Sequence, residues 1–116
     1  MSISYEPPIE YIDVADALAR IRGNEKLFKL LLSSFLADTS YNDLETHIGN
    51  NDIDSAARSA HALKGIAANL SMPALHKAVA ELEGQLKIGN FVPAAYQIAK
   101  DSYALTVVHV TKLIEA

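Results

Sequence analysis

Apolar residues recur at intervals of three and four along most of the chain, which is the spacing of amphipathic α-helices. It predicts a short helix after Asp13, a long helix over residues 25–48, a third over residues 53–70, a fourth that begins at Pro73 and a last one over residues 93–114. Strict alternation of apolar and polar residues, the pattern of a half-buried strand, is almost absent.

The breaks between these segments carry residues that helix ends favour. Asp13 and Asp52 can each cap the helix that follows, and Gly23 and the "GNND" stretch supply turns. Long antiparallel helices with short connections predict an all-α, up-and-down four-helix bundle with a short extra N-terminal helix. The proline-containing residues 1–12 are predicted to form an N-terminal arm, followed by one helical domain over residues 13–116.

The last helix is the least clear of the five. Its inward positions are predicted to be Ala95, Ile98, Leu105 and Val108. The stretch "TVVHVT" within it is rich in β-branched residues, which favour strands. Because no other strand is predicted with which it could pair, a helix remains the better prediction.

Composition narrows the range of partners. With 116 residues, half of them hydrophobic, the chain is long enough for one globular core. A net charge of -4 without a long basic run argues against nucleic acid and anionic membranes as partners, so proteins are expected instead. There is no cysteine, no apolar run of membrane-spanning length and no signal-peptide pattern at the start, which together predict a cytoplasmic protein.

His61 lies in an alanine-rich part of the third helix. On a helical wheel at ~100° per residue, Leu63 and Leu70 fall on nearly the opposite side from the histidine. Those two leucines mark the face that packs into the core, so the imidazole ring is predicted to point to solvent.

The neighbours of His61 on the wheel are small, apart from one cation. Ala57, Gly65 and Ala68 would let the surface of another protein approach the ring, which suits a nucleophile that reacts with a bulky partner. Lys64 suits an incoming phosphoryl group: at ~6 Å in water two unit charges attract by ~0.7 kcal/mol, and a phosphoryl group roughly doubles this. Such a lysine assists a nucleophile and cannot replace it.

The stretch "AHALKGIAANLSMPALHKAVAELE" resembles the signature of histidine-containing phosphotransfer (HPt) domains of multistep two-component signalling. The core of that signature is a histidine, any residue, an apolar residue, a lysine and a glycine. Here it consists of His61, Ala62, Leu63, Lys64 and Gly65. Looser similarity covers most of the chain.

The resemblance implies a phosphoryl carrier without ATP-dependent kinase activity of its own. His61 would accept a phosphoryl group from an aspartyl phosphate on a receiver domain, of a response regulator or a hybrid sensor kinase, and pass it to another receiver's aspartate. The chain would need no cofactor, because the Mg²⁺ belongs to the receiver domain, and it would act as a monomer. One departure is Ser71, where the family usually has glycine; serine at this helix end is also a good cap for the next helix.

Glu83 is predicted to contact His61. In an antiparallel hairpin that turns near Ser71, His61 lies ten residues before the turn and Glu83 twelve after it, so their levels differ by only ~3 Å. The resemblance implies the same pair, with the carboxylate bonded to Nδ1 of the imidazole, which would orient the ring. A solvated Glu83, or one paired with Lys87, is the alternative.

Three other functions fit the sequence less well. A metal-binding bundle would use a glutamate three residues before a histidine, but the four histidines have leucine, arginine, proline and threonine there. A sensor-kinase dimerisation domain normally has an acidic residue after its histidine, and here Ala62 follows. A non-catalytic helical adaptor explains the apolar stripes but not the Lys64-Gly65 pair.

The remaining residues have structural interpretations. Three histidines are predicted to be solvated or flanking residues, namely His47, His76 and His109. Four apolar residues are predicted to pack in the core, or to belong to a docking surface if exposed beside His61, namely Phe28, Leu31, Leu32 and Phe35. The five tyrosines are scattered along the sequence without forming a platform for bases.

Overall fold

The computed structural model describes residues 3–116, and within them every regular element is a helix. The six helices are α1 Val14–Arg20, α2 Glu25–Ala37, α3 Ser40–Gly49, α4 Ile53–Asn69, α5 Pro73–Lys87 and α6 Pro93–Glu115. The all-α prediction is therefore confirmed, and so is the helical conformation of "TVVHVT", which lies within α6. None of the helices in this part of the chain combines the length and apolar character needed to cross a bilayer.

The long helix predicted over residues 25–48 is in fact two helices. Asp38 has an extended backbone that ends α2, and its side chain accepts a hydrogen bond from the backbone N–H of Ser40 at 2.8 Å. Short polar side chains compete in this way with helical hydrogen bonds, and the apolar periodicity, which continues across the break, conceals it. The break lets α2 pack against α6 while α3 packs against α4.

The bundle is formed by α2 with α3, α4, α5 and α6, and α1 is the short extra helix. Asp13 caps α1 and Asp52 caps α4, as predicted, because each side chain accepts a hydrogen bond from a backbone N–H three residues later. α5 and α6 each begin with a proline, whose fixed φ suits the first helical position.

The buried face of α5 matches the predicted stripe, but that of α6 does not. Leu75, Val79, Leu82 and Leu86 of α5 are fully buried. On α6, Ala95 is buried, whereas three residues predicted to point inward are exposed, namely Ile98, Leu105 and Val108.

The core face of α6 contains a polar residue that the apolar pattern could not single out. Its buried residues are Ala95, Ala99, Thr106, Val110 and Leu113. Thr106 tolerates burial because its hydroxyl donates a hydrogen bond to the backbone carbonyl of Ser102 at 2.7 Å. Apolar residues occur on most sides of α6, so periodicity alone selected the wrong face.

The N-terminal arm packs on the bundle. Residues 1 and 2 of the predicted arm lie outside the described residues. Ile12 is buried in the core, and the carbonyl of Glu10 accepts a hydrogen bond from the backbone N–H of Ala74 at 2.7 Å. The ring of His109 stacks on Tyr5 and Tyr11, and its Nδ1 lies 2.5 Å from the Tyr5 hydroxyl. His109 is therefore not a freely solvated residue: its half-buried ring packs on the arm.

Candidate functional site

His61 lies near the middle of α4 and points away from the core. Its side chain is 68% exposed, whereas Ala60, Leu63 and Ala67 of the same helix are buried. α4 has this polarity because its small and apolar residues on one side face α3 and α5. The helical wheel thus predicts the orientation of the ring correctly.

Glu83 reaches the histidine from the adjacent helix. Oε2 of Glu83 lies 2.8 Å from Nδ1 of His61, and the glutamate side chain is only 2% exposed. An ionised carboxylate can only accept hydrogen bonds, so Nδ1 carries the hydrogen in this pair. The other ring nitrogen, Nε2, is left with a free lone pair in the neutral imidazole.

Two lysines share the same carboxylate. Nζ of Lys64 lies 2.5 Å from Oε1 of Glu83, and Nζ of Lys87 lies 3.2 Å from Oε2. The sequence predicts a contact of Glu83 with Lys87 as an alternative to the contact with His61, whereas the structure has both contacts at once. It predicts Lys64 beside an incoming phosphoryl group, and in this structure the Lys64 ammonium contacts Glu83.

The contacts determine the protonation state of Glu83. Burial raises the pKa of this carboxyl, but hydrogen bonds from Lys64, His61 and Lys87 outweigh burial and lower the pKa to about 2. Glu83 is therefore ionised at any physiological pH. The negative charge of the buried Glu83 carboxylate therefore lies against the Nδ1 edge of the His61 imidazole.

The residues beside His61 on α4 have small side chains or none. Gly65 and Ala68 are exposed and Ala57 is half-buried. A Cβ atom added at Gly65 would meet nothing within 4 Å apart from its chain neighbours and the adjacent backbone of α4, so no packing inside this chain requires a glycine at that position. These three residues lie where sequence reasoning expected a partner to dock, and that role stays a prediction.

Ser71 forms the turn between the two helices that carry the site. Its φ is +57°, in the left-handed region that favours glycine, which is the physical reason for a glycine at this turn. The Ser71 hydroxyl donates a hydrogen bond to the carboxylate of Asp16, and this bond, followed by the one from Arg20, lowers the pKa of Asp16. The interpretation of Ser71 as a cap for α5 is wrong, since the N-cap residue is Met72.

The predicted core residues separate into two groups. Phe28, Leu32 and Phe35 are buried in the core, whereas Leu31 is half-buried. Leu31 lines a groove of about 560 Å³ between α1, α2 and the C-terminal part of α4, and Ile66 lines the same groove.

Three of the tyrosines that are scattered in the sequence lie together in the fold. The rings of Tyr41 and Tyr103 stack with centroids 4.0 Å apart, and the hydroxyls of Tyr41 and Tyr96 both donate to Oε2 of Glu45, at 3.1 and 3.3 Å. Burial raises the pKa of Tyr41, which keeps that hydroxyl protonated as a donor. This cluster ties α3 to α6, and the four-residue spacing of Tyr41 and Glu45 was its only signal in the sequence.

No group of three or more histidine, cysteine, aspartate and glutamate side chains within residues 3–116 has the geometry to hold a metal ion. His47 and His76 are both half-buried. The cluster around His61 combines one carboxylate with two ammonium groups, and ammonium groups have no lone pair with which to bind a metal.

Comparison with known proteins agrees with this geometry. The family model described as the Hpt domain matches residues 31–116, which include α3 to α6 and all the residues of the His61 cluster. No curated protein and no solved structure shows a significant match to the chain. The family match covers most of the sequence, and the all-helical bundle and the exposed His61 with Lys64-Gly65 after it agree with that match. The chain therefore belongs to the Hpt domain family of phosphorelay signalling.

Proposed function

We propose that His61 is the phosphoryl-accepting residue of this Hpt domain, and that it takes the group from an aspartyl phosphate on one receiver domain and delivers it to an aspartate on another. The observation that carries this proposal is the contact between Nδ1 of His61 and Glu83. It leaves Nε2 of an exposed ring as the free nucleophile.

The transfer balances without a separate acid or base. The Nε2 lone pair attacks phosphorus, the bond between phosphorus and the aspartyl oxygen breaks, and its electron pair leaves with the aspartate carboxylate. The ring keeps its hydrogen on Nδ1 and becomes a positively charged phosphoimidazole. Glu83 faces that charge at 2.8 Å, so the carboxylate stabilises the product and the transition state that leads to it. Delivery to the second receiver is the reverse of these steps.

Lys64 would assist at the phosphoryl group. It lies three residues after His61, on the same side of α4, and its side chain is 29% exposed. Its ammonium can move from Glu83 toward phosphoryl oxygens that arrive at Nε2. The Mg²⁺ of the reaction belongs to the receiver domain in this proposal, and the chain itself supplies no cofactor.

The partner would dock on the surface of small residues formed by Ala57, Gly65 and Ala68. Receiver domains of response regulators, or of a hybrid sensor kinase, must bring an aspartyl phosphate to Nε2, and bulky side chains at these positions would block them. The chain would act as a monomer in the cytoplasm.

The test follows ³²P from a phosphorylated receiver domain to this protein. Wild-type protein should acquire acid-labile label, the His61→Gln variant should acquire none, and the His76→Gln variant, which removes a histidine elsewhere on the bundle, should be labelled like wild type. ATP with Mg²⁺ but no receiver should give no label. Label on His61→Gln protein, or none on wild type with several receivers, would contradict the proposal.

A further inference from the structure

The carboxylate of Glu83 is buried and has three hydrogen-bond donors. His61 and Lys87 both contact Oε2, and Lys64 contacts Oε1. A buried carboxylate without a counter-charge is costly, so the partners that remain during the reaction matter as much as those present before it.

The two lysines differ in what else they can reach. Lys64 lies on α4 beside His61, and a phosphoryl group on Nε2 would bring nearly two negative charges close to it. Lys87 lies on α5, one turn after Glu83, so its contact with Glu83 is internal to one helix and does not depend on α4. Once Lys64 moves to the phosphoryl group, Lys87 is the lysine left on Glu83.

We propose that Lys87 is a positioning residue that keeps the Glu83 carboxylate charge-compensated and directed at Nδ1 of His61 while Lys64 turns from Glu83 to the phosphoryl group. This proposal rests on the proposed phosphoryl-accepting role of His61. It assigns different tasks to two lysines that contact the same carboxylate in the structure.

The exposure of the two lysines fits this division. The Lys87 side chain is 59% exposed, so its ammonium stays hydrated while it contacts Oε2 from the solvent side. Lys64 is less exposed at 29%, and its contact with Oε1 is the shorter of the two. Without Lys87, movement of Lys64 before phosphorus is bonded to Nε2 would leave the buried carboxylate against an imidazole that is still neutral, so Lys64 would have to serve two anions at once.

The test compares four proteins in transfer from a phosphorylated receiver: wild type, Lys87→Met, Lys87→Arg and Lys77→Met. Lys77 is exposed on the same helix and its removal makes the same change in net charge. Transfer to Lys87→Met should be slower by about threefold to tenfold, the range for one ordinary hydrogen bond, because the Lys87 ammonium is largely exposed to solvent. Lys87→Arg should restore most of the rate, because it keeps a cation within reach of Oε2.

A spectroscopic measurement separates positioning from general destabilisation. In ¹⁵N-labelled, phosphorylated protein, the Nδ1–H resonance of His61 should be visible in wild type and Lys87→Arg and should weaken by exchange with water in Lys87→Met. Circular dichroism should show the same helix content in all four proteins.

The outcomes are distinct. If Lys87→Met accepts the phosphoryl group as fast as wild type, the role of Lys87 is overturned and that of His61 is intact. The same conclusion follows if Lys77→Met loses as much of the transfer rate as Lys87→Met, or if Lys87→Arg does not recover the rate. If His61→Gln protein accepts label, the phosphoryl-accepting role of His61 fails, and this inference fails with it.

Discussion

Oε2 of Glu83 lies 2.8 Å from Nδ1 of His61. The Glu83 side chain is only 2% exposed, whereas that of His61 is 68% exposed. The contact joins the interior of α5 to the surface of α4. A buried charge thereby determines which edge of a solvent-exposed ring is free to react.

Glu83 should make folding stability depend on pH in the acid range. Its folded pKa of about 2 is lower than its ordinary value of 4.5, so its contribution is complete above pH ~5 and is lost as the pH falls toward 2. At ~1.4 kcal/mol per pKa unit the loss is about 3 kcal/mol at most. Urea unfolding from pH 6 to pH 2 should show it, and the Glu83→Gln variant should lose less over the same interval. Parallel curves for the two proteins would contradict the assigned pKa.

Glu83→Ala should slow phosphoryl uptake without abolishing it. The nucleophile remains, but nothing holds the hydrogen on Nδ1, and the loss of one charged hydrogen bond corresponds to about tenfold or more in rate. Glu83→Gln should be intermediate, because an amide oxygen can still accept from Nδ1. The exposed Glu81→Ala on the same helix is the control.

Replacing Gly65 by alanine should raise the stability of the fold and slow phosphoryl transfer. Since an added Cβ meets nothing within 4 Å beyond the adjacent backbone of its own helix, Gly65→Ala should stabilise the fold by up to ~1 kcal/mol through helix propensity. It should slow transfer by about fivefold or more if a receiver packs against this surface, since overpacking costs ~1 kcal/mol or more. Gly49→Ala, at an equally open position on α3, should leave the rate unchanged. Equal rates for Gly65→Ala and wild type would remove Gly65 from the docking surface.

Two substitutions at Ser71 should differ in stability. Ser71→Ala keeps the left-handed backbone and loses the bond to Asp16, so it should be destabilised by about 1 kcal/mol. Ser71→Gly loses the same bond but relieves roughly 1 kcal/mol of backbone strain. Thermal unfolding should therefore rank Ser71→Gly above Ser71→Ala. The reverse order would mean that strain at this turn is negligible.

Ile12 should prove essential to the fold although it precedes residues 31–116, the part that matches the family model. It is fully buried, and truncation to alanine should cost about 2 to 5 kcal/mol through lost burial and a cavity. Ile9→Ala, at a position that is 67% exposed, should change stability by less than ~0.5 kcal/mol. A loss below 1 kcal/mol in Ile12→Ala would show that the arm detaches readily.

The features that could be predicted from the sequence depend on regular helix geometry. Residue counts across the hairpin placed Glu83 level with His61, and the wheel placed the ring in solvent, because α4 and α5 are regular from end to end. The end of α2 at Asp38 depends on one side chain that bonds to the backbone locally, which periodicity does not detect. The shared use of Glu83 by Lys64 and Lys87 depends on side-chain conformations that only the packed structure determines.

The contact of Glu83 with the Nδ1 edge of the His61 ring also limits the order of the two phosphoryl transfers. Only the Nε2 edge is available, so under the proposed function the donor and the acceptor receiver must approach the same atom from the same side. Two receivers cannot both place their reacting groups at Nε2 at the same time, so the two transfers are expected to take place in separate complexes. The relay should therefore follow ping-pong kinetics, in which an excess of unphosphorylated acceptor slows loading by competing with the donor for the free protein.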